Sequence, residues 1–216
     1  MSANHQINQT PTRPVRLVAI QAGLAVPSST RMLTDLLVRA SARAVRESGA
    51  EVATEVIDVR DHAHAIADAM LTRFPSDELG AVIRSITEAD GVIAATPIFN
   101  ASYAGLFKSF MDVIDPQVFG GKPVLMGATA GTPRHSLALE HALRPLFSYL
   151  RADVTPTAVF AATDDFAAKA AGGALAERAE RAGGELAAKA IRIAAADAPA
   201  YDEMADFVDM GELLCR

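Results

Sequence analysis

A three-layer α/β sandwich, with helices on both faces of a five-stranded parallel sheet, is the fold class the sequence predicts. Three observations carry it. Short apolar runs alternate with amphipathic stretches from residue 15 to about residue 160. The runs are continuous rather than alternating apolar with polar, so both faces of each strand need cover. Strand and helix follow one another in turn, which implies parallel pairing through right-handed crossovers. Periodicity leaves two common strand orders open.

Each element has its own signal. Val15–Ile20 (VRLVAI) is short, apolar and β-branched, as a buried strand should be. Pro27-Ser28-Ser29-Thr30 then opens a helix with Met32, Leu33, Leu36, Leu37 and Ala40 on one face and Gly49 as its stop. Val52–Val59 is the second strand, and residues 61–71 are short and helix-like. Ser76–Ala89 is a helix, with Leu79, Val82, Ile83 and Ile86 at helical spacing. Gly91–Ala95 is the third strand, 103–114 a helix, Pro123–Ala128 the fourth strand and Ser136–Leu150 a helix. Val154–Ala161 is the fifth strand, and the remainder reads as helical to the end. The Ala-rich stretch near 167–196 interleaves Glu, Arg and Lys, a helix composition rather than a linker composition.

Composition narrows the classes. The 216 residues are 50% hydrophobic and 21% charged, which suits a packed chain and not a disordered one. A net charge of −6 disfavours a nucleic-acid binder, which needs a basic face. The single cysteine, Cys215, excludes a disulfide framework and a Cys-cluster metal site, and fits a reducing cytoplasm. No run reaches 18 apolar residues, so no membrane span is expected, and the polar start MSANHQINQTPTRP lacks the layout of a signal peptide. Residues 1–13 read as a disordered lead-in, 14–196 as one domain, and 197–216 as a helical tail packed on that domain. No metal site is expected.

Ligands of open α/β sheets sit beyond the carboxyl ends of the strands, and three loops there have unusual chemistry. Gly23 to Arg31 follows strand one. Its hydroxyls Ser28, Ser29 and Thr30 stand at a helix N-terminus, where N–H groups and the dipole favour an anion, although a plain N-cap uses the same residues. GxxxxGK[ST] and GxGxxG are both absent, which argues against a nucleoside triphosphate or a Rossmann-bound dinucleotide. Thr96 to Tyr103 follows strand three, and Pro97 is expected to take the chain out of the ladder. An ordinary strand-to-helix connection would look the same. Thr129 to Ser136 follows strand four, with small residues at Thr129, Ala130 and Gly131 and a cationic pair at Arg134 and His135. His62 and His64 are two apart and point different ways on a helix, His141 reads as a surface helix residue, and Asp164 and Asp165 read as capping and solvated.

At these loops the sequence resembles the NADPH-dependent FMN reductases, in particular the flavin reductases of two-component monooxygenase systems. TPIFNASYAGLFKSFMDVID (Thr96–Asp115) is close to the alkanesulfonate-type pattern TPxYxAxYxGLxKxFxD, and ATAGTPRHSLALEHALRPLFSYLRA (Ala128–Ala152) is similar to the branch that partners luciferase-like monooxygenases. The resemblance runs from about residue 15 to residue 166. It implies a flavodoxin-like fold with strand order 2-1-3-4-5. It implies that Gly23 and Pro27, Ser28, Ser29 and Thr30 surround the FMN phosphate. Pro97, Ile98, Phe99, Asn100 and Ala101 would line the isoalloxazine, and Thr129, Ala130 and Gly131 would meet its pyrimidine edge. The resemblance also implies that Tyr103 lies near a subunit contact; the cationic pair Arg134 and His135, from its charge at the loop mouth, is expected to contact the phosphates of the nicotinamide cofactor or flavin O2.

Two departures stand out. Where many relatives have Gly-Ser-x-Arg, this chain has Gly23-Leu24-Ala25-Val26, with Arg31 as the nearest replacement, and the common Tyr of the second loop is Phe99. Both fit a flavin held weakly enough to leave. The implied reaction is hydride transfer from NADPH or NADH to flavin N5 with no side-chain acid or base, after which reduced FMN goes to a flavin-dependent monooxygenase. A quinone or azo-dye reductase with tightly bound FMN and a flavodoxin-like electron carrier are the alternatives. The apolar helix after Thr96 (Leu106, Phe107, Phe110, Met111, Ile114) suggests a further interface, and the resemblance favours a homodimer or homotetramer.

Overall fold

Residues 11, 13–167 and 171–196 are described by the computed structural model. Most of the expected lead-in and the whole expected tail over 197–216 lie outside the described residues.

Continuous apolar runs become the strands of one sheet. β1 (Val15–Gln21) lies between β2 (Val52–Asp58) and β3 (Gly91–Phe99), and β3 pairs on its far side with β5 (Pro123–Ala130). These pairs are parallel. Beyond β5 come two short segments, β6 (Asp153–Val154) and β7 (Val159–Ala162). Together they fill the place of the expected fifth strand, so the flavodoxin-like order 2-1-3-4-5 holds.

The sheet nevertheless has seven strands, not five. Pro156 lies in the break between β6 and β7: β5 advances three residues between its partners Val154 and Val159, while the outer chain advances five. The other addition is β4 (Ser102–Tyr103), antiparallel to the end of β3.

Pro97 corrects an expectation, because it stays in the ladder, paired with Thr129. The reason is geometric. Ala95 turns its carbonyl toward β1, where it accepts from the Ala22 N–H at 3.0 Å. Strand alternation directs the position of Pro97's missing N–H to that same side, past the last β1 partner, Gln21.

The helices are α1 (Ser29–Glu47), α2 (Ala63–Thr72), α3 (Asp77–Thr87), α4 (Gly105–Asp112), α5 (Arg144–Tyr149), α6 (Thr163–Ala167) and α7 (Ala171–Ala195). The helix expected over 136–150 is broken: a single π turn spans Leu139–Leu143 ahead of α5. Pro145 has no N–H for the carbonyl four residues back, which favours the wider turn before it.

Side chains alternate across the strands and build two cores. On one face Val18, Ile20, Val92, Ala94, Val124 and Met126 meet α2 to α5. On the other, Leu17, Ala19, Ile93 and Leu125 meet α1 and α7. The apolar side of α4 belongs to the first core: Phe107, Phe110, Met111 and Ile114 are buried within the chain itself, so they no longer argue for an interface. The Ala-rich α7 is a cover layer. A Cβ on Gly183 would come within 2.7 Å of the Ser41 nitrogen and 2.8 Å of the Ala40 carbonyl carbon, so α7 and α1 touch backbone to backbone there.

The rim opposite the three loops is tied by charge. Asp90 is buried and accepts two 2.7 Å bonds from Arg13 and a 2.8 Å bond from the Arg16 N–H. Lys122 donates to the Thr87 and Ala89 carbonyls at 3.0 and 2.6 Å. Burial pulls the Lys122 pKa down to about 8, and Asp90 offsets part of that.

Candidate functional site

Strand ends bring the three loops together. The first is fastened to the second by Gln21 opposite Ala95 and by the Ala22 bond. The second meets the third through Pro97 and Thr129. The first meets the third through a 2.8 Å bond between the buried Thr30 and Thr129 hydroxyls.

The first loop turns tightly because Gln21, buried at the end of β1, accepts the Gly23 N–H on its Oε1 at 2.9 Å. A Cβ on Gly23 would fall 2.0 Å from Ser28 Oγ and 3.1 Å from Thr30 Cβ, so the cradle admits glycine alone. Ser28 is the N-cap of α1, and its Oγ accepts the Arg31 N–H at 3.2 Å. Ser29 and Thr30 supply the other N–H groups of that first turn, the donors a helix start can offer an anion. Pro27 follows a cis peptide bond, and Val26 beside it is 81% exposed. Arg31 does not turn into the loop; its Nε donates to Asp35 along α1 at 2.9 Å.

The second loop is a hairpin rather than a plain connection. Phe99 pairs with Ser102 and Ile98 with Tyr103, while Asn100 (φ 48°) and Ala101 (φ 67°) both take the left-handed conformation that a type I′ turn requires. The buried Thr96 hydroxyl accepts the Ala104 N–H at 3.0 Å and fixes the returning strand. Ile98 is buried, Phe99 is 49% exposed at the mouth, and Tyr103 leans on Phe107 with ring centres 6.0 Å apart.

In the third loop, Thr129 and Ala130 are still part of β5, paired outward with Ala161 and Ala162. Gly131 is the first residue beyond the strand, and a Cβ there would meet nothing within 4 Å. Arg134 and His135 sit in a short turn (Pro133–His135) and are exposed. Asp165 caps the next strand end, accepting the Ala162 N–H at 2.8 Å.

Gln21 and Arg60 escape the sequence reading, and Thr96 enters it only as the start of the second loop. Arg60 lies just after β2 and donates to the Leu24 carbonyl at 3.3 Å. Its signal is strand order: with β2 beside β1, the residue after β2 neighbours the first loop.

The three loops thus bring together at one sheet edge the amides and hydroxyls of the first turn of α1, the half-exposed Phe99 ring and open space beside Gly131. A phosphate-bearing planar ring fits that donor set.

Comparison with known proteins decides the family. The sequence matches the NADPH-dependent FMN reductases over residues 15–167. The chain belongs to this family. It is 36% identical over 155 residues to an FMN reductase (NADPH) of Pseudomonas aeruginosa, covering 72% of this chain and 81% of that protein. It is equally 36% identical over 156 residues to the NADH-dependent FMN reductase SfnF of Pseudomonas fluorescens, with the same two coverages of 72% and 81%. Among solved structures, an oxidoreductase of Corynebacterium diphtheriae superposes with a TM-score of 0.81 at 41% identity, covering 84% of this chain and 99% of that one. This member of the FMN reductases is therefore an oxidoreductase of FMN and a nicotinamide nucleotide, on a flavodoxin-like fold. Among the described residues, no helix is long and apolar enough to cross a membrane.

Proposed function

We propose that this flavin reductase takes FMN as a substrate that comes and goes, and that reduced FMN serves a separate flavin-dependent monooxygenase. The observation that carries this reading is the half-exposed Phe99, the single aromatic side chain that the three loops leave at the mouth. A resident flavin gains hold from rings on both faces, and Tyr103 is turned against Phe107 instead.

Residues 14–196 act as one flavin-binding unit. Ser28, Ser29 and Thr30 hold the phosphate through their backbone N–H groups and the Ser28 and Ser29 hydroxyls, while Gly23, whose own N–H is bonded to Gln21, and Pro27 shape the loop around it. Pro97, Ile98, Phe99, Asn100 and Ala101 form the shelf beneath the ring. Ala130 and Gly131 offer main-chain donors at its polar edge, where preorganised N–H groups stabilise negative charge. Thr129 contributes as scaffold, since its hydroxyl is bonded to Thr30. Arg134 and His135, exposed beside that edge, meet the phosphates of the nicotinamide nucleotide. When bound, FMN supplies the hydride-accepting ring and NADPH or NADH the hydride. The protein's part is to stack the two and exclude water, and no side chain is assigned a proton. The exposed apolar side chains of Leu24, Val26 and Leu137, carried on or next to the same loops, support a dimer or tetramer formed beside the site.

The test combines an absorbance spectrum of the purified protein with steady-state oxidation of NADPH and NADH in the presence of FMN, FAD or riboflavin. The reading expects a protein free of flavin colour that consumes nicotinamide when FMN is added. Flavin retained through purification and turnover overturns it in favour of a quinone or azo-dye reductase. No consumption without a further reductase points to an electron carrier.

A further inference from the structure

The first loop presents a chemical shortfall. A phosphate monoester is dianionic near neutral pH, yet Gly23 to Thr30 contains no cation, and Arg31 is engaged with Asp35. A guanidinium arrives from another strand. Arg60 follows β2, which lies beside β1, and its Nη1 reaches the Leu24 carbonyl at 3.3 Å. The base of this arm is fixed: Asp58 Oδ1 accepts the Arg60 N–H at 3.1 Å and sets the turn over Val59–His62. Its tip is lightly held. Besides the neutral Leu24 carbonyl, its ion-pair partner among the described residues is Asp61, with Oδ1 4.0 Å from Nε. A guanidinium has five N–H donors, and these contacts engage two at most. A long carbonyl contact is a weak competitor for a phosphate oxygen, to which arginine bonds with charge assistance and in bidentate geometry.

We propose that Arg60 is a phosphate-binding residue of the flavin site, supplying from the end of β2 the positive charge that the first loop lacks. This rests on the FMN-reductase reading above. It makes Arg60 a determinant of FMN over riboflavin, which differ by that phosphate alone. The 2′-phosphate of NADPH offers the same chemistry, so the experiment carries an arm for each source.

Kd values for FMN and riboflavin are measured by quenching of flavin fluorescence in the unaltered protein, Arg60→Ala and Arg60→Lys, and kcat/KM is measured with NADPH and with NADH. Arg60 is partly exposed, so both variants are expected to fold. Loss of a charge-assisted bond should weaken FMN roughly ten- to hundredfold in Arg60→Ala. Riboflavin binding and the NADPH-to-NADH ratio should stay unchanged, and Arg60→Lys should recover part of the loss. An equal loss for FMN and riboflavin, or none for either, overturns the assignment. So does a loss confined to NADPH, which would move the contact to the nicotinamide nucleotide. If the unaltered protein binds riboflavin as tightly as FMN, the phosphate cradle itself fails, and the underlying reading fails with it.

Discussion

Thr30 and Thr129 point their hydroxyls at each other, 2.8 Å apart and out of contact with water. The pair is a strut from the first turn of α1 to the end of β5. Thr30→Val leaves the Thr129 hydroxyl buried without its partner and should cost about 1–3 kcal/mol. Thr129→Val should cost the same for the mirror reason. The double variant should cost clearly less than the sum, because no orphaned hydroxyl is left. Urea denaturation of the four proteins closes this cycle, and simple additivity would show that the hydroxyls act independently.

Gly23→Ala places a methyl group 2.0 Å from Ser28 Oγ. Ser28 must swing away, and α1 loses its N-cap bond to Arg31, worth about 1 kcal/mol. FMN affinity should fall by a larger factor than stability implies if the loop that deforms is the proposed phosphate site. Thermal melting and a fluorescence titration on the same sample separate the two effects.

Two adjacent glycines of α7 should respond with opposite signs. Gly183→Ala drives a Cβ against the backbone of Ala40 and Ser41, and a cost of about 1–3 kcal/mol is expected from overpacking. At Gly184 a Cβ meets nothing within 4 Å, so Gly184→Ala should add up to about 1 kcal/mol from helix propensity. Melting temperatures of the two variants check both signs.

Lys122 gives stability a pH dependence at the rim far from the loops. Its pKa is lowered by burial from 10.5 to about 8 in the folded chain, with Asp90 acting in the opposite sense. Between those values the unfolded chain binds more protons than the folded one, so this group's contribution to stability rises with pH across the window. Below it both states hold the proton, and the contribution is lost. Lys122→Met should flatten the rise, which denaturation midpoints from pH 7.5 to 10.5 can follow as a difference between the two proteins.

Much of this was legible in the residues. The runs VRLVAI and GVIAA read as strands because both of their faces are covered, and the cap at Ser28 read as a cap because hydroxyls favour that position. What stayed hidden depended on neighbours far away in sequence. Asn100-Ala101 does not announce a hairpin as Asn-Gly would, and β3 runs on through Pro97 because β1 has already ended. Helix α4 looked too apolar for one sheet face because the packing of Phe107 and Phe110 with Phe119 and Phe147 could not be foreseen. Arg60 became visible once β2 was set next to β1. The resemblance named the loops, while the bonds that join them, such as Gln21 to Gly23, needed coordinates.

Helix α7 lies wholly beyond residue 167, where the family match ends. It is also what shields Leu17, Ile93 and Leu125 on one side of the sheet. The segment that matches the family thus leaves part of its sheet face to be covered by a helix outside it. A chain shortened after Ala167 would bare a greasy wall next to α1 and should aggregate on expression, however complete its flavin loops.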